Sequence, residues 1–516
     1  MSTKGEEARP QGGSLPPSRA MADVCLILEG TYPYVTGGVS AWIHQLLRTL
    51  PEIRFALFHI GATQGETLEA RYELPPNVVS LTNLGLHGGD EPDVHGQPLE
   101  PADWEAIRAF HDELQEERTE GTGDLMARIA PAPGRGPSGH DYLYGEPSWE
   151  VLRQIYEARA ADISFVDYFW TWRFTHLPMF RLMHAPLPEA AVYHTVSTGW
   201  GGFAATLARV RTGRPMLLTE HGIYARERRS EIDQAEWIFT RRQGPMTLAS
   251  GPGFFKELWT RLFVRLSQLT YAHADVIVTI FEGNRQAQIR DGADPAKTLV
   301  IPNGIDVEPL AALEPVPAAR GEFRVGFVGR IVPIKDVKTF IRAVKILGER
   351  LPGVRAVLAG PTDEDPEYVA ECRTLAATLG VQNRIELTGA VDVREIYPRL
   401  DVVALTSVSE GLPLVVLEAG AAGLPMVATD VGACRELLQG RDRLDRALGP
   451  SGLVTGVANP RATAEALLSL ARDPELRQEM GRVARARVRT YYQETDLVKS
   501  YRDIYQRLMA EAPGSA

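Results

Sequence analysis

Two glutamates, Glu410 and Glu418, stand with seven residues between them in the run Ser409-Glu410-Gly411-Leu412-Pro413-Leu414-Val415-Val416-Leu417-Glu418. The run follows a short apolar segment, Val402–Leu405, so it predicts strand, loop and helix. The first glutamate then lies in the loop and the second about two turns into the helix. Pro413 suits the first helical position, where a missing N–H costs nothing. The amides of Gly411 and Leu412 then point out of the helix N-terminus, which attracts phosphate and can bind sugar hydroxyls. A second run, Gly329-Arg330-Ile331-Val332-Pro333-Ile334-Lys335-Asp336, follows the apolar segment Phe323–Val328. Arg330 and Lys335 can stabilise charge developing on a departing diphosphate, arginine through forked donors and lysine as a mobile point charge.

The first half of the chain offers two more candidates. Gly30-Thr31-Tyr32-Pro33-Tyr34-Val35-Thr36-Gly37-Gly38 follows the apolar segment Val24–Leu28 and precedes helical sequence. The Gly37-Gly38 pair there lets backbone approach a ligand closely. Leu217-Leu218-Thr219-Glu220-His221-Gly222 places His221 at the end of a strand pattern, where its imidazole can face a crevice. The strand end His194-Thr195-Val196-Ser197-Thr198-Gly199 is a candidate acceptor-side lining, with no proton-transfer role assigned to it. Two other clusters read as decoys. Asp363-Glu364-Asp365 looks like an Asp-x-Asp metal site but lies in a polar loop, beside no other ligand cluster. Arg226, Arg228 and Arg229 with Glu227 and Glu231 read as a solvated helix face.

These residues need elements to hold them. Short apolar runs alternate with amphipathic segments along both halves, which means βαβ units and parallel sheets. In the first half the strands are Val24–Leu28, Arg54–Ile60, Ala191–His194, Met216–Thr219 and Val276–Thr279. In the second they are Phe323–Val328, Val354–Ala359, Arg384–Leu387, Val402–Leu405 and Pro425–Ala428. The expected fold is α/β, two Rossmann-like domains whose parallel sheets face across a cleft. Residues 1–21 read as a disordered extension, 22–312 as a first domain, 313–490 as a second, and 491–516 as a helix returning to the first. The acidic, Gly- and Pro-rich stretch from about 61 to 145 reads as an insertion.

With 516 residues, the chain exceeds what one hydrophobic core usually supports. A net charge of −11 argues against a nucleic-acid partner. Three scattered cysteines (Cys25, Cys372, Cys434) offer neither a disulfide framework nor a metal spacing, and fit a reducing compartment. The apolar stretch Gly411–Thr429 contains Glu418 and is broken by Pro413, Gly420, Gly423 and Pro425, so it reads as helix and strand rather than a membrane span.

The Glu-x7-Glu run after a strand resembles the donor site of the retaining glycosyltransferases of family 4, a similarity that covers about Val24–Tyr505. It implies a GT-B fold and a metal-independent, cofactor-free enzyme. By this resemblance Glu410 contacts the donor sugar, Glu418 holds the ribose, Arg330 and Lys335 bind the diphosphate, the Gly37–Gly38 loop approaches it, and His221 contacts the reacting sugar near its 6-position. Gly411 and Leu412 orient the sugar. The segment Asp23–Trp42, with Tyr142-Leu143-Tyr144-Gly145 and Glu220-His221-Gly222-Ile223-Tyr224, further resembles the glycosyltransferases of bacterial Pel-type exopolysaccharide biosynthesis. That implies a UDP-sugar donor (UDP-glucose first), transfer of a hexose or N-acetylhexosamine to a growing saccharide, a cytoplasmic location, and an inner-membrane synthase and export complex as partner. The alternatives are a UDP-sugar 2-epimerase and a non-catalytic nucleotide-sugar-binding regulatory subunit.

Overall fold

The computed structural model describes residues 21–88, 145–235 and 253–513, with isolated positions between 101 and 109. The expected N-terminal extension, most of the expected insertion, and Tyr142-Leu143-Tyr144 lie outside the described residues. The chain divides into two units. The first holds residues up to Thr279, Arg285–Leu299 and Tyr501–Ala516; the second holds Ile280–Asn284 and Val300–Ser500.

The first unit is built on seven strands, β1 (Ala22–Glu29), β2 (Phe55–Thr63), β3 (Val78–His87), β4 (Ala190–Thr195), β5 (Met216–Glu220), β6 (Val276–Thr279) and β7 (Thr298–Val300). Their order in the sheet is β3-β2-β1-β4-β5-β6-β7. The registered pairs are parallel, for example Leu26↔Leu57 and Leu26↔His194. The second unit has six strands, β8 (Phe323–Val328), β9 (Val354–Ala359), β10 (Ile385–Gly389), β11 (Val402–Leu405), β12 (Met426–Thr429) and β13 (Gly452–Thr455). They lie in the order β10-β9-β8-β11-β12-β13, again parallel. Each unit is therefore a Rossmann-like α/β domain. In each sheet the strand order reverses once, between β1 and β4 and between β8 and β11, and open sheets bind ligands outside the carboxyl ends of the strands at such a point.

Helix formation follows the sequence pattern closely in the second unit. In Val337–Arg350, the buried Val337, Phe340, Ile341, Val344 and Leu347 recur at helical spacing and face the sheet. Each such side chain stabilises the fold by about 1.5–3 kcal/mol when fully buried. Asp336 starts the helix, its carboxylate accepting the Thr339 amide at 3.2 Å.

Four expectations need correction. β3 lies inside the stretch read as an insertion. Asn83 and Gly85 interrupt its apolar pattern, yet it pairs with β2 along its length. β7 and β13 were not anticipated, the first being three residues long and the second opening on Gly452. Residues 300–312 belong to the second unit, because Ile305 bridges to Gln493 and Val307 and Leu310 enter that unit's core. The C-terminal helix spans Glu494–Glu511, and only Tyr501 onward counts with the first unit.

One buried charge pair clamps the second unit. Arg487 is 1% exposed, and its guanidinium donates to the Asp445 carboxylate at 2.5 Å, to the Leu438 carbonyl and Ser451 hydroxyl at 2.9 Å each, and to the Gly449 carbonyl at 2.7 Å. Removing one partner of such a pair strands the other charge without solvent. Arg487→Ala should destabilise the second unit by about 3–5 kcal/mol, measured as a lowered urea midpoint.

Candidate functional site

In the second unit the loop after β8 and the loop after β11 meet because those strands are neighbours. Pro333–Lys335 forms one turn of 3-10 helix, and Asp336 follows with a left-handed φ of 44°. Thr406, completely buried at the end of β11, donates its hydroxyl to the carbonyls of Lys335 and Asp336 at 3.2 and 2.9 Å. The Val408 amide donates to the Ile334 carbonyl at 2.9 Å. These bonds seat Lys335 against Glu410: Nζ lies 2.5 Å from Oε1, which also accepts the Ser407 hydroxyl at 2.5 Å. The pair is largely screened from water, with side-chain exposures of 18% and 10%.

Glu418 lies on the helix Leu414–Ala421, one turn from its start rather than two. Pro413 has an extended ψ of 112° and caps the helix instead of opening it. The Glu418 carboxylate is half-buried and accepts the hydroxyl of the buried Tyr397 at 2.8 Å. Burial pushes its pKa up, and the Tyr397 hydrogen bond partly offsets that. Gly411 and Leu412 occupy the turn between the two glutamates. A glycine beyond the motif holds this turn in place. Gly432, at φ 51°, lies so close that a Cβ would sit 2.2 Å from the Glu410 carbonyl oxygen, and the next amide, Ala433, donates to the Gly411 carbonyl at 2.8 Å. Gly432 was not anticipated; its only sequence signal is the Asp-Val-Gly-Ala turn after an apolar strand.

Arg330 is not part of this cluster. Its guanidinium pairs with Glu364 at 2.5 Å, both side chains about half exposed, so the pair adds little stability. Glu364 belongs to the acidic run read as a decoy. Asp365 of that run caps the helix Pro366–Thr378 through the Tyr368 amide at 2.9 Å.

In the first unit Gly37 and Gly38 are exposed, neither has a left-handed φ, and a Cβ at either would meet nothing within 4 Å. Neither backbone strain nor internal packing requires glycine there. Trp42, on the helix Gly38–Thr49, sets its ring edge-on to His221 with centroids 4.8 Å apart. Burial lowers the His221 pKa to about 4, so at neutral pH the imidazole is uncharged, a hydrogen-bonding group rather than a cation. His194 does not line a surface. It is completely buried, with its ring nitrogens 2.7 Å from the Tyr505 hydroxyl and 2.9 Å from the Thr219 hydroxyl.

Two carboxylates at the strand ends were also not anticipated. Glu220 is buried and accepts hydrogen bonds from Tyr271 (2.7 Å), Gln288 (2.9 Å), the Tyr224 amide (3.0 Å) and Thr198 (3.3 Å). Glu29 accepts the hydroxyls of Tyr224 and Ser197 at 2.6 and 2.9 Å and the Gly201 amide at 3.0 Å. Arg228 is no plain solvated residue either, since its guanidinium lies 5.0 Å from the Tyr224 ring centroid.

The fold is shared with solved structures of other proteins. Sucrose-phosphate synthase from Thermosynechococcus elongatus superposes with a TM-score of 0.55 at 16% identity, over 95% of this chain and 100% of that one. The Anabaena protein HepE, in complex with UDP and glucose, does so with a TM-score of 0.53 at 15% identity, over 94% and 100%. Residues 22–296, more than half of the chain, match the family described as "Domain of unknown function (DUF3492)", and the chain belongs to that family. Residues 313–487 match "Glycosyl transferases group 1", so the second unit carries a domain of that class. The D-inositol 3-phosphate glycosyltransferase of Mycobacteroides abscessus is 31% identical over 44% of this chain and 48% of its own length. That of Saccharomonospora viridis is 29% identical over 61% and 70%. The chain spans about half the length of the first of these relatives.

Glu418 yields a stability test. A carboxylate whose folded pKa is raised contributes stability that is lost as pH rises from the unfolded to the folded value. Ionised Glu418 therefore destabilises the protein at neutral pH, and Glu418→Gln should melt at or above the wild-type temperature by calorimetry.

Proposed function

We propose that this protein is a retaining, metal-independent glycosyltransferase that moves a hexose or N-acetylhexosamine from a UDP-sugar, UDP-glucose first, onto a growing polysaccharide. The observation that carries this reading is the Lys335–Glu410–Ser407 cluster at the point of strand-order reversal in a Glycosyl transferases group 1 domain. A lysine held beside a carboxylate after one strand, and a second carboxylate one turn into the next helix, suit a charged diphosphate flanked by two sugars. The UDP and glucose in the HepE complex support the choice of donor.

In the proposed reaction Glu418 takes the ribose hydroxyls, and Arg330 and Lys335 leave their carboxylate partners to meet the diphosphate. Glu410, freed from Lys335, accepts hydrogen bonds from the donor sugar, oriented also by the Gly411 and Leu412 amides. The bond from sugar C1 to the diphosphate oxygen breaks, and its electron pair leaves with UDP. The acceptor oxygen forms the new bond to C1 on the same face, and its proton passes to the departing phosphate. Two cations on the leaving group are the main source of rate in this scheme, and they supply the charge that a metal would otherwise bring. Gly37, Gly38 and the neutral His221 are assigned to the sugar. The Pel-type resemblance extends the proposal to a bacterial exopolysaccharide as product, a cytoplasmic location and an inner-membrane synthase complex as partner. Among the described residues no helix is long and apolar enough to cross a membrane.

Calorimetric titration with UDP, UDP-glucose, UDP-GlcNAc, UDP-GalNAc and GDP-mannose in EDTA should show tight binding of UDP and of one UDP-sugar. Absence of binding to all five would overturn the reading, and binding only without EDTA would overturn metal independence. C2 inversion of a bound UDP-sugar without acceptor would instead identify an epimerase. Lys335→Ala should lower turnover by about a hundredfold or more while the far-ultraviolet circular dichroism stays unchanged.

A further inference from the structure

Glu29 ends β1, beside the point where the strand order of the first sheet reverses. Its carboxylate gathers two segments that leave the same edge, one after β4 and one after β5. Ser197 comes from the loop after β4, Gly201 from the start of the helix Trp200–Thr212, and Tyr224 from the start of the helix Tyr224–Gln234. Two glycines make these approaches possible. A Cβ on Gly199 would lie 2.3 Å from the Tyr224 hydroxyl, and one on Gly201 would lie 2.8 Å from the Ser197 hydroxyl.

Glu29 differs from the buried Glu220 in two respects. It is only half-buried, and three donors leave part of its capacity open, since a carboxylate offers about four acceptor positions. Among the described residues no cation comes within ion-pair distance of it. Arg228, whose charge is stabilised by Glu29 from beyond that distance, pairs directly with Glu231 at 2.5 Å. Tyr224 is three residues beyond His221, and its own amide is held by Glu220 at 3.0 Å. The Glu29–Tyr224 bond therefore fixes one end of the short segment that carries His221, while Trp42 supports the imidazole itself. Glu29 is also the last residue before Gly30, whose φ of 58° turns the chain into the loop ending at Gly37 and Gly38.

We propose that Glu29 is a positioning residue for sugar transfer, a proposal that rests on the glycosyltransferase reading above. Its carboxylate, through Tyr224 and Ser197, sets the segment bearing His221 relative to the loop bearing Gly37 and Gly38. It touches neither leaving group nor diphosphate, so its effect falls on the rate at the sugar and not on nucleotide affinity.

The test uses the full chain with Glu29→Gln, Tyr224→Phe and the double variant. It reads hydrolysis of the UDP-sugar panel by water, UDP affinity by calorimetry, melting temperature, and the His221 imidazole resonances, assigned by their loss in His221→Gln. Each single variant should slow hydrolysis per folded molecule by roughly tenfold, keep UDP affinity within about twofold, and shift the His221 resonances. The double variant should be no slower than the slower single, because both act through one link. Tyr224→Phe keeps the ring and removes one oxygen, so it reports even if Glu29→Gln fails to fold. A lowered melting temperature with unchanged turnover and unmoved His221 resonances would make Glu29 purely structural and overturn the proposal, as would additive losses in the double variant. If the unmodified protein neither binds UDP nor hydrolyses any UDP-sugar, the glycosyltransferase reading fails. The His221 resonances then decide the positioning link by themselves.

Discussion

The contact between Lys335 and Glu410 is the interaction on which the second unit's site depends. It joins residues 75 positions apart, and it forms only because β8 and β11 are neighbours at the reversal of strand order. Parallel strands deliver their following loops to one edge, so the ends of two adjacent strands bring distant chemistry together. The surrounding structure is organised to hold that edge still. Thr406 ties the lysine loop to the end of β11, and Gly432 lets the loop after β12 close on the Glu410 carbonyl. A cation and a carboxylate that satisfy each other avoid the cost of a solvent-poor unpaired charge.

The first unit solves a related problem without a lysine. Its strand-end groups are neutral or carboxylate: His221 is uncharged because of burial, while Glu29 and Glu220 gather donors from several loops. The buried chain Tyr505–His194–Thr219–Tyr501 lies beneath Trp42, and Trp42 carries His221. Two tyrosines from the end of the chain thus stiffen a site assembled from its first half. The contrast between the units is physical: one edge concentrates opposite charges, the other a network of hydrogen bonds around aromatic rings.

Much of the fold was readable because apolar periodicity is a local property. Twin α/β architecture follows from short apolar runs alternating with helical ones, and ten strands were placed within a few residues of their ends. β3 escaped because Ser, Asn and Gly weaken its pattern, and its pairing with β2 supplies what its own sequence lacks. The loop and helix that carry Glu410 and Glu418 were legible because the run is contiguous. Glu29, Glu220 and Gly432 were not, because nothing near them in sequence shows what they touch. Arg330 was paired with Lys335 by family resemblance, and the structure sets its side chain against Glu364.

Sequence alone determined the residue types available for chemistry, the alternation of strand and helix, and the places where glycine or proline had to interrupt them. Those depend on side-chain chemistry and backbone sterics over a few residues. Only the tertiary structure decided that Lys335 meets Glu410, that His194 is buried scaffold while His221 stays near the edge, and that Glu29 ties together the connections after β4 and β5. Those outcomes depend on strand order and burial. Packing of the whole sheet, not any local spacing, settles which side chains share an edge and which of them keep access to water.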